Sequence, residues 1–232
     1  MTDTQLYRLI DISKEYKSGP RTVSVLDTLS LDIAHGEFVA LMGPSGSGKT
    51  TLLNLLGGID RPSSGEIAFE GASMAAMNER ALSQLRRDRI GFVFQSYNLM
   101  PTLTAAQNVE LPLLLTSLSA KQRSENVQTA LELVGLGDRA KHRPRELSGG
   151  QQQRVAIARA LIADPKVILA DEPTGDLDRA TADEILDLFR TLNDQLKTAL
   201  VMVTHDPAAA RYATRTLHLD KGAVIRSERA AA

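Results

Sequence analysis

No cysteine occurs among the 232 residues, so disulfides and thiolate metal sites are excluded, and a reducing compartment suits the chain. Neither sign of charge is in excess. The formal net charge is −1 at pH 7, which leaves no electrostatic footprint for nucleic acid as a main partner. Long apolar runs are missing as well. The longest, "ALVMV" at 199–203 and "LPLLL" at 111–115, fall well short of the ~20 residues that span a bilayer. The opening "MTDTQLYRLIDISKEY" lacks the basic stretch and apolar core of a secretory leader. The expectation is a soluble chain, and any membrane role calls for another subunit. Internal repeats are absent, and low complexity is limited to the terminal "RAAA".

What remains is an ordinary globular composition, 43% hydrophobic and 24% charged, in a length that suits one large domain or one domain with an inserted lobe. The densest basic cluster, Arg86, Arg87 and Arg89, reads as a solvated helix face. Residues 6–33 alternate apolar and polar, as antiparallel strands with one wet face do. Beyond residue 37 the pattern changes to short, nearly continuous apolar runs: "EFVALMG", "RIGFVFQ", "KVILADE" and "ALVMVTHD". Such runs mark strands buried on both faces of a mostly parallel sheet. Residues 96–146 are polar, helical and interrupted by Pro101, Pro112 and Pro144. Thr104 with Gln107 and Ser119 with Gln122 fit capping boxes, so this stretch reads as an inserted helical lobe. "TLHLDKGAVI" near the C-terminus reads as a hairpin turning at Asp220-Lys221-Gly222.

The first chemical signal is "GPSGSGKTT", comprising Gly43, Pro44, Ser45, Gly46, Ser47, Gly48, Lys49, Thr50 and Thr51. It fits the phosphate-loop pattern and lies where that pattern has meaning, after a buried strand and before an amphipathic helix. The apolar face of that helix is Leu52, Leu55, Leu56 and Ile59, and Gly57-Gly58 weaken or end it. Its glycines let successive N–H groups curl round a phosphate, and the helix N-terminus adds its positive end. Lys49 then reaches the β- and γ-phosphates, and the Thr50 hydroxyl binds Mg²⁺. The other buried strands end in Gln95, in Asp171-Glu172 and in His205. In open parallel sheets ligands bind beyond the carboxyl ends of the strands, so one edge receives a phosphate loop, an amide, two carboxylates and an imidazole. A nucleotide hydrolase uses that set: Asp171 for Mg²⁺, Glu172 to orient or deprotonate water, Gln95 and His205 near the γ-phosphate.

"LSGGQQQRVAIARAL" at 147–161 places a second glycine pair at a helix start, with no phosphate-loop lysine. Ser148 with Gln151 fits a capping box, with Val155, Ala158, Leu161 and Ile162 as the apolar face and Asp164-Pro165 as the stop. A cap alone has no use for Gly149 and Gly150, each costing up to ~1 kcal/mol relative to Ala. Their presence points to close approach of some group to the backbone, beside a helix N-terminus that suits an anion.

Here the chain resembles the ATP-binding cassette (ABC) ATPases. "LSGGQ" is similar to that family's signature, and the motif order is the same: Walker A at 43–50, Q-loop Gln95, signature at 147–151, Walker B at 167–172, D-loop "GDLD" at 175–178, H-loop His205. The fold that follows is α/β, a P-loop NTPase with a mostly parallel buried sheet, an N-terminal antiparallel β subdomain and an inserted helical subdomain. The whole chain, 1–232, forms one domain, its core and β subdomain being 1–95 and 160–232 and its helical subdomain about 96–159. The resemblance implies ATP and Mg²⁺ as cofactors, with Thr50, Gln95 and Asp171 toward the metal and Glu172, His205 and Gln95 in catalysis. It implies a head-to-tail dimer with a second copy, in which Ser148, Gly149, Gly150 and Gln151 meet the nucleotide held by the other copy's Walker A. Asp178 then touches the partner's Walker A region, and Tyr16 occupies the place where this family stacks an aromatic on adenine.

Within the family, "FVFQSYNLMPTLTAAQNVELPLLL" and "LADEPTGDLD" are most similar to the branch serving lipoprotein-release, macrolide-export and cell-division complexes. That implies an integral membrane subunit docking on the segment 97–103, Tyr97 to Leu103, and a peripheral location on the cytoplasmic side of the inner or plasma membrane. Leu99, Met100 and Leu103 suit either a docking groove or packing within the lobe. Asp176 stands where relatives more often carry Asn or Ala. Two other readings share the cassette: a division-type ATPase that signals across the membrane without transport, and a soluble ABC ATPase acting on nucleic acid. The latter relatives carry coiled coils, cysteine-based zinc modules or tandem cassettes, none of which occurs here.

Overall fold

The computed structural model describes residues 5–19 and 21–229. Along the chain come strands β1 (Gln5–Ser18), β2 (Arg21–Ala34) and β3 (Phe38–Met42), then helix α1 (Lys49–Leu56), β4 (Ser64–Phe69), β5 (Ala72–Ser73), α2 (Glu79–Arg89) and β6 (Ile90–Phe94). Helices α3 (Ala105–Glu110), α4 (Ala120–Leu133) and α5 (Gly149–Leu161) precede β7 (Val167–Asp171), α6 (Arg179–Leu196) and β8 (Ala199–Val203). A short α7 (Pro207–Ala210) and the hairpin β9 (Arg215–Asp220) and β10 (Ala223–Arg229) follow.

Two sheets result. β2-β1-β4-β5 is antiparallel, and β10-β9-β3-β8-β7-β6 is parallel except for the β9–β10 hairpin. The four apolar runs singled out in the sequence are its adjacent strands β3, β8, β7 and β6. Their residues alternate between two separate cores. Phe38, Ala40, Ile168, Ala170, Leu200 and Met202 face one side, packed with residues of α3, α4, α5 and α6. Val39, Leu41, Val167, Leu169, Val201 and Val203 face the other, packed with α1 and the antiparallel sheet. Burial of both faces is why the runs are continuously apolar rather than alternating.

The local signals hold at most positions. Thr104, Ser119 and Ser148 each form a capping box with the residue three further on, and the terminal hairpin turns at Lys221-Gly222 with positive φ at both, 47° and 83°. α1 ends at Gly57 as expected, but Ile59 lies beyond the helix and is exposed, because Gly58 at φ 59° turns the chain away. Arg86 and Arg87 are less solvated than the charge run suggested. Arg86 donates to the Gly58 carbonyl and pairs with Glu79, while Arg87 pairs with Asp88. Among the described residues no helix is long and apolar enough to cross a membrane.

Phe189 on α6 is buried in the helix-side core. Phe189→Ala is expected to cost about 3–5 kcal/mol, read as a fall in the denaturant midpoint with unchanged slope.

Candidate functional site

Gly43 begins the phosphate loop under a packing demand that no side chain meets. Its φ is 151°, and a Cβ there would stand 2.1 Å from the Leu219 carbonyl oxygen on β9. The loop thus lies directly against the neighbouring strand. Lys49 is buried and folds back over it, its Nζ donating to the carbonyls of Gly43 and Pro44 at 2.8 Å each. Ser47 Oγ is buried without a partner. The loop thus combines an ammonium held by two of its own carbonyls, an unpartnered hydroxyl and the N-terminus of α1, groups that an anionic phosphate site uses.

Thr50 Oγ1 donates to Asp171 Oδ1 at 3.4 Å across from β7. Burial pushes the Asp171 carboxyl up, and the neighbouring Glu172 charge adds to this, against the opposing hydrogen bond from Thr50 and charge of Lys49. Among the described residues no group of three or more His, Asp or Glu could cage a metal. One hydroxyl and one carboxylate fit Mg²⁺, which keeps several waters and takes further oxygens from a substrate phosphate.

Glu172 leaves β7 in the left-handed region, at φ 46°, a conformation costing a non-glycine residue roughly 1–2 kcal/mol. Its N–H still donates to the Val203 carbonyl on β8, and its own carbonyl accepts from Gly175 N–H. His205, just past β8, sets Nδ1 3.1 Å from Glu172 Oε2. A cavity of about 570 Å³ is bounded by Ser45, Gly46, Lys49, Thr50, Glu172 and His205, with Val23, Val25, Gly48 and Thr51 completing its wall. None of residues 148–151 lines it.

The structure thus brings Lys49, Thr50, Asp171, Glu172 and His205 together, and places the other expected residues elsewhere. Gln95 follows Phe94, the register partner of Asp171, and its Nε2 donates to Asp176 Oδ1 at 2.8 Å. A carboxylate only accepts, so the amide nitrogen must face Asp176 and Oε1 faces away. Tyr16 is 40% exposed. Its hydroxyl donates to Asp60 Oδ2 at 2.7 Å, and Lys14 Nζ sits over its ring, 4.7 Å from the centroid, while bonding Asp60 Oδ1 at 2.6 Å. Burial, with the Asp60 bond, raises the Tyr16 phenol above its ordinary range. Lys14, Asp60, Val23 and Val25 escaped the sequence reading. Alternating valines and a strand lysine are generic, and only Asp60, soon after the phosphate-loop helix, offered a faint signal.

Asp178 caps α6, accepting from Thr181 N–H at 3.1 Å and Thr181 Oγ1 at 2.6 Å, bonds that hold its carboxyl below the usual range. Thr181 also explains part of the signature. A Cβ on Gly150 would stand 2.4 Å from Thr181 Cγ2, so the close approach inferred from the glycines is supplied at Gly150 by the chain's own α6. Ser148 is exposed and Gln151 half-buried at the head of α5. Further along, Arg159 donates to the carbonyls of Asn98 at 2.6 Å and Tyr97 at 2.9 Å. Arg159, Arg86, Arg87, Phe92, Phe94 and Asn98 are among the residues lining a second cavity of about 320 Å³. Of the apolar residues expected beside it, Met100 is half exposed, whereas Leu99 packs against the helix-side core.

Gly150→Ala is expected to destabilise the fold through the Thr181 methyl. Adding Thr181→Ser, which keeps the hydroxyl that bonds Asp178, should remove that loss and expose the roughly 0.5–1 kcal/mol helix preference for Ala. Thermal melts of the wild type, the two single variants and the double variant check this.

Comparison with known proteins agrees with the geometry. The family described as "ABC transporter" matches residues 26–175. The chain is 49% identical over 211 residues to the lipoprotein-releasing system ATP-binding protein LolD of Chromohalobacter salexigens, covering 91% of this chain and 89% of that one. It is 48% identical over 231 residues to the macrolide export ATP-binding/permease protein MacB 1/2 of Paracoccus denitrificans, covering the whole of this chain and 34% of that longer one. Among solved structures it is similar to the ATP-binding cassette MJ0796 of Methanocaldococcus jannaschii, a dimer bound to ADP and Pi, with a TM-score of 0.89, 43% identity and coverage of 97% and 99%. With these matches spanning motifs already placed at the sheet edge, the chain belongs to the ABC transporter family as one of its ATP-binding cassettes.

Proposed function

We propose that this chain is the ATP-hydrolysing subunit of a lipoprotein-release or macrolide-export type complex, working as a pair of copies on an integral membrane subunit. The observation that carries this reading is the make-up of the 570 Å³ cavity. It has the phosphate loop, Glu172 and His205, but nothing from 148–151. A cassette whose signature helix lies outside its own nucleotide cavity needs a second copy to complete the site. The solved structures similar to this chain include a cassette dimer holding ADP and Pi.

The residues divide the work as follows. The amides of 43–51 and Lys49 bind the β- and γ-phosphates, and Tyr16 stacks on adenine through the face opposite Lys14. Thr50 and Asp171 would hold Mg²⁺, with Gln95 Oε1 as a further oxygen, and the ion, when bound, would offset phosphate charge. Glu172 accepts the proton of the attacking water, and His205 holds that carboxylate and borders the γ-phosphate position. Ser148, Gly149, Gly150 and Gln151 of the partner copy close over the phosphates with the positive end of α5. Asp178, beside them, faces the partner's phosphate loop.

The membrane subunit docks on the segment 97–103 and the 320 Å³ cavity beneath it, with exposed Met100, Leu114 and Leu115 as apolar contacts. This holds the cassette at the cytoplasmic side of the membrane. We read the whole chain as one domain, with 96–159 the helical subdomain that transmits closure of the pair to the docked subunit.

Glu172→Gln should leave ATP binding intact, lower turnover about 10²–10⁴-fold and accumulate an ATP-bound dimer on gel filtration. Turnover at the wild-type rate would overturn its role as the base. Ser148→Arg should abolish hydrolysis while leaving ATP affinity of the isolated monomer unchanged by equilibrium fluorescence titration. Full activity in a monomer would sink the composite site.

A further inference from the structure

The third glutamine of the signature run, Gln153, has no part in the reading above. It lies one turn into α5 and is fully buried. Its Nε2 donates to the Pro173 carbonyl at 2.7 Å, and its Oε1 is buried without a partner. A buried amide with one half unpaired is unfavourable, and an apolar side chain of similar size would avoid that cost. Glutamine at this position is therefore explained by the bond to Pro173 rather than by packing.

That bond falls beside the one strained residue of the catalytic edge. Glu172 is left-handed at φ 46°, and it also precedes a proline, which drives the preceding residue toward extended backbone. A conformation disfavoured on both counts persists only when its surroundings over-determine it. Three hydrogen bonds do so here. Glu172 N–H is tied to Val203 on β8, the Glu172 carbonyl to Gly175, and the Pro173 carbonyl to Gln153. Proline has no N–H, so its carbonyl is the only backbone group by which residue 173 can be anchored. Gln153 supplies that anchor, from the helix whose first turn carries Ser148.

We propose that Gln153 is a positioning residue for Glu172, fixing through Pro173 the turn that aims the carboxylate and tying it to the signature helix of the same copy. This rests on Glu172 being the base. Gln153→Met keeps the volume and removes the donor. In the full-length protein it is expected to lower kcat roughly 10- to 100-fold, the cost of a small misplacement of a reacting group. ATP affinity, measured directly with a fluorescent ATP analogue, should stay within about twofold of wild type, since Gln153 is not among the residues lining the 570 Å³ cavity. Added to Glu172→Gln, it should produce no further loss of turnover, because it acts only through that carboxylate. A wild-type kcat in Gln153→Met overturns the proposal, and so does an additive loss in the double variant or a fall in ATP affinity matching the fall in kcat. Gln153→Leu provides the same readouts should the methionine variant fail to fold. Glu172→Gln alone tests the base assignment, so its failure is distinguishable from that of the Gln153 inference.

Discussion

Burial of the parallel sheet on both faces governs everything else in this molecule. With one core above β3, β8 and β7 and another below, no polar side chain can stand along the strands without losing its hydration. Polar chemistry is confined to the ends, and the parallel direction gathers those ends at one edge. The phosphate loop, Asp171-Glu172 and His205 lie at the exits of β3, β7 and β8 respectively. The same confinement makes the backbone of the exits tight. Gly43 lies against Leu219, and Glu172 is forced left-handed while its N–H still reaches β8.

Helix α5 is the second organising element, because it carries bonds in several directions at once. Its first turn presses Gly150 onto Thr181 of α6. Its second turn holds Pro173 through Gln153, and Arg154 reaches Glu184 on α6 and the Val134 carbonyl after α4. Its last turn fixes Tyr97 and Asn98 through Arg159. Both those residues have positive φ, so the segment proposed to meet the membrane subunit is held in shape by the helix proposed to meet the partner's nucleotide. A shift of α5 cannot leave either end undisturbed, since close-packed contacts transmit displacement rather than absorb it. Away from α5, Asp176 ties the loop between β7 and α6 to Gln95 beyond β6. Its carboxylate leaves only one orientation for the Gln95 amide, which an amide at position 176 would not enforce.

Much of this was legible in the residues. Four apolar runs, each closed by a polar group, located the adjacent buried strands and the edge where the chemistry gathers. Three capping boxes located helix starts that the structure reproduces. The glycines of 149–150 were legible as a close approach, but not its partner. At Gly150 the neighbour in the chain itself is a threonine methyl, and the phosphate role proposed for the pair acts in addition to that packing. Ile59 and the arginine cluster were misread because helical periodicity and charge density are averages, and a single left-handed glycine or a nearby carbonyl overrides them.

Residues considered alone determine which polar groups close the buried strands, the anion-binding character of the loop and the starts of the helices. Each depends on neighbours within about one turn of chain, where dihedral preference and capping act. Only the tertiary structure decided that Gln95 is held by Asp176, 81 residues away, that Gln153 anchors Pro173, 20 residues away, and that Tyr16 is clamped by Asp60. Those pairings arise from how helices and loops lie over the sheet. No local pattern encodes them, because a buried amide takes whichever partner the packing brings within reach.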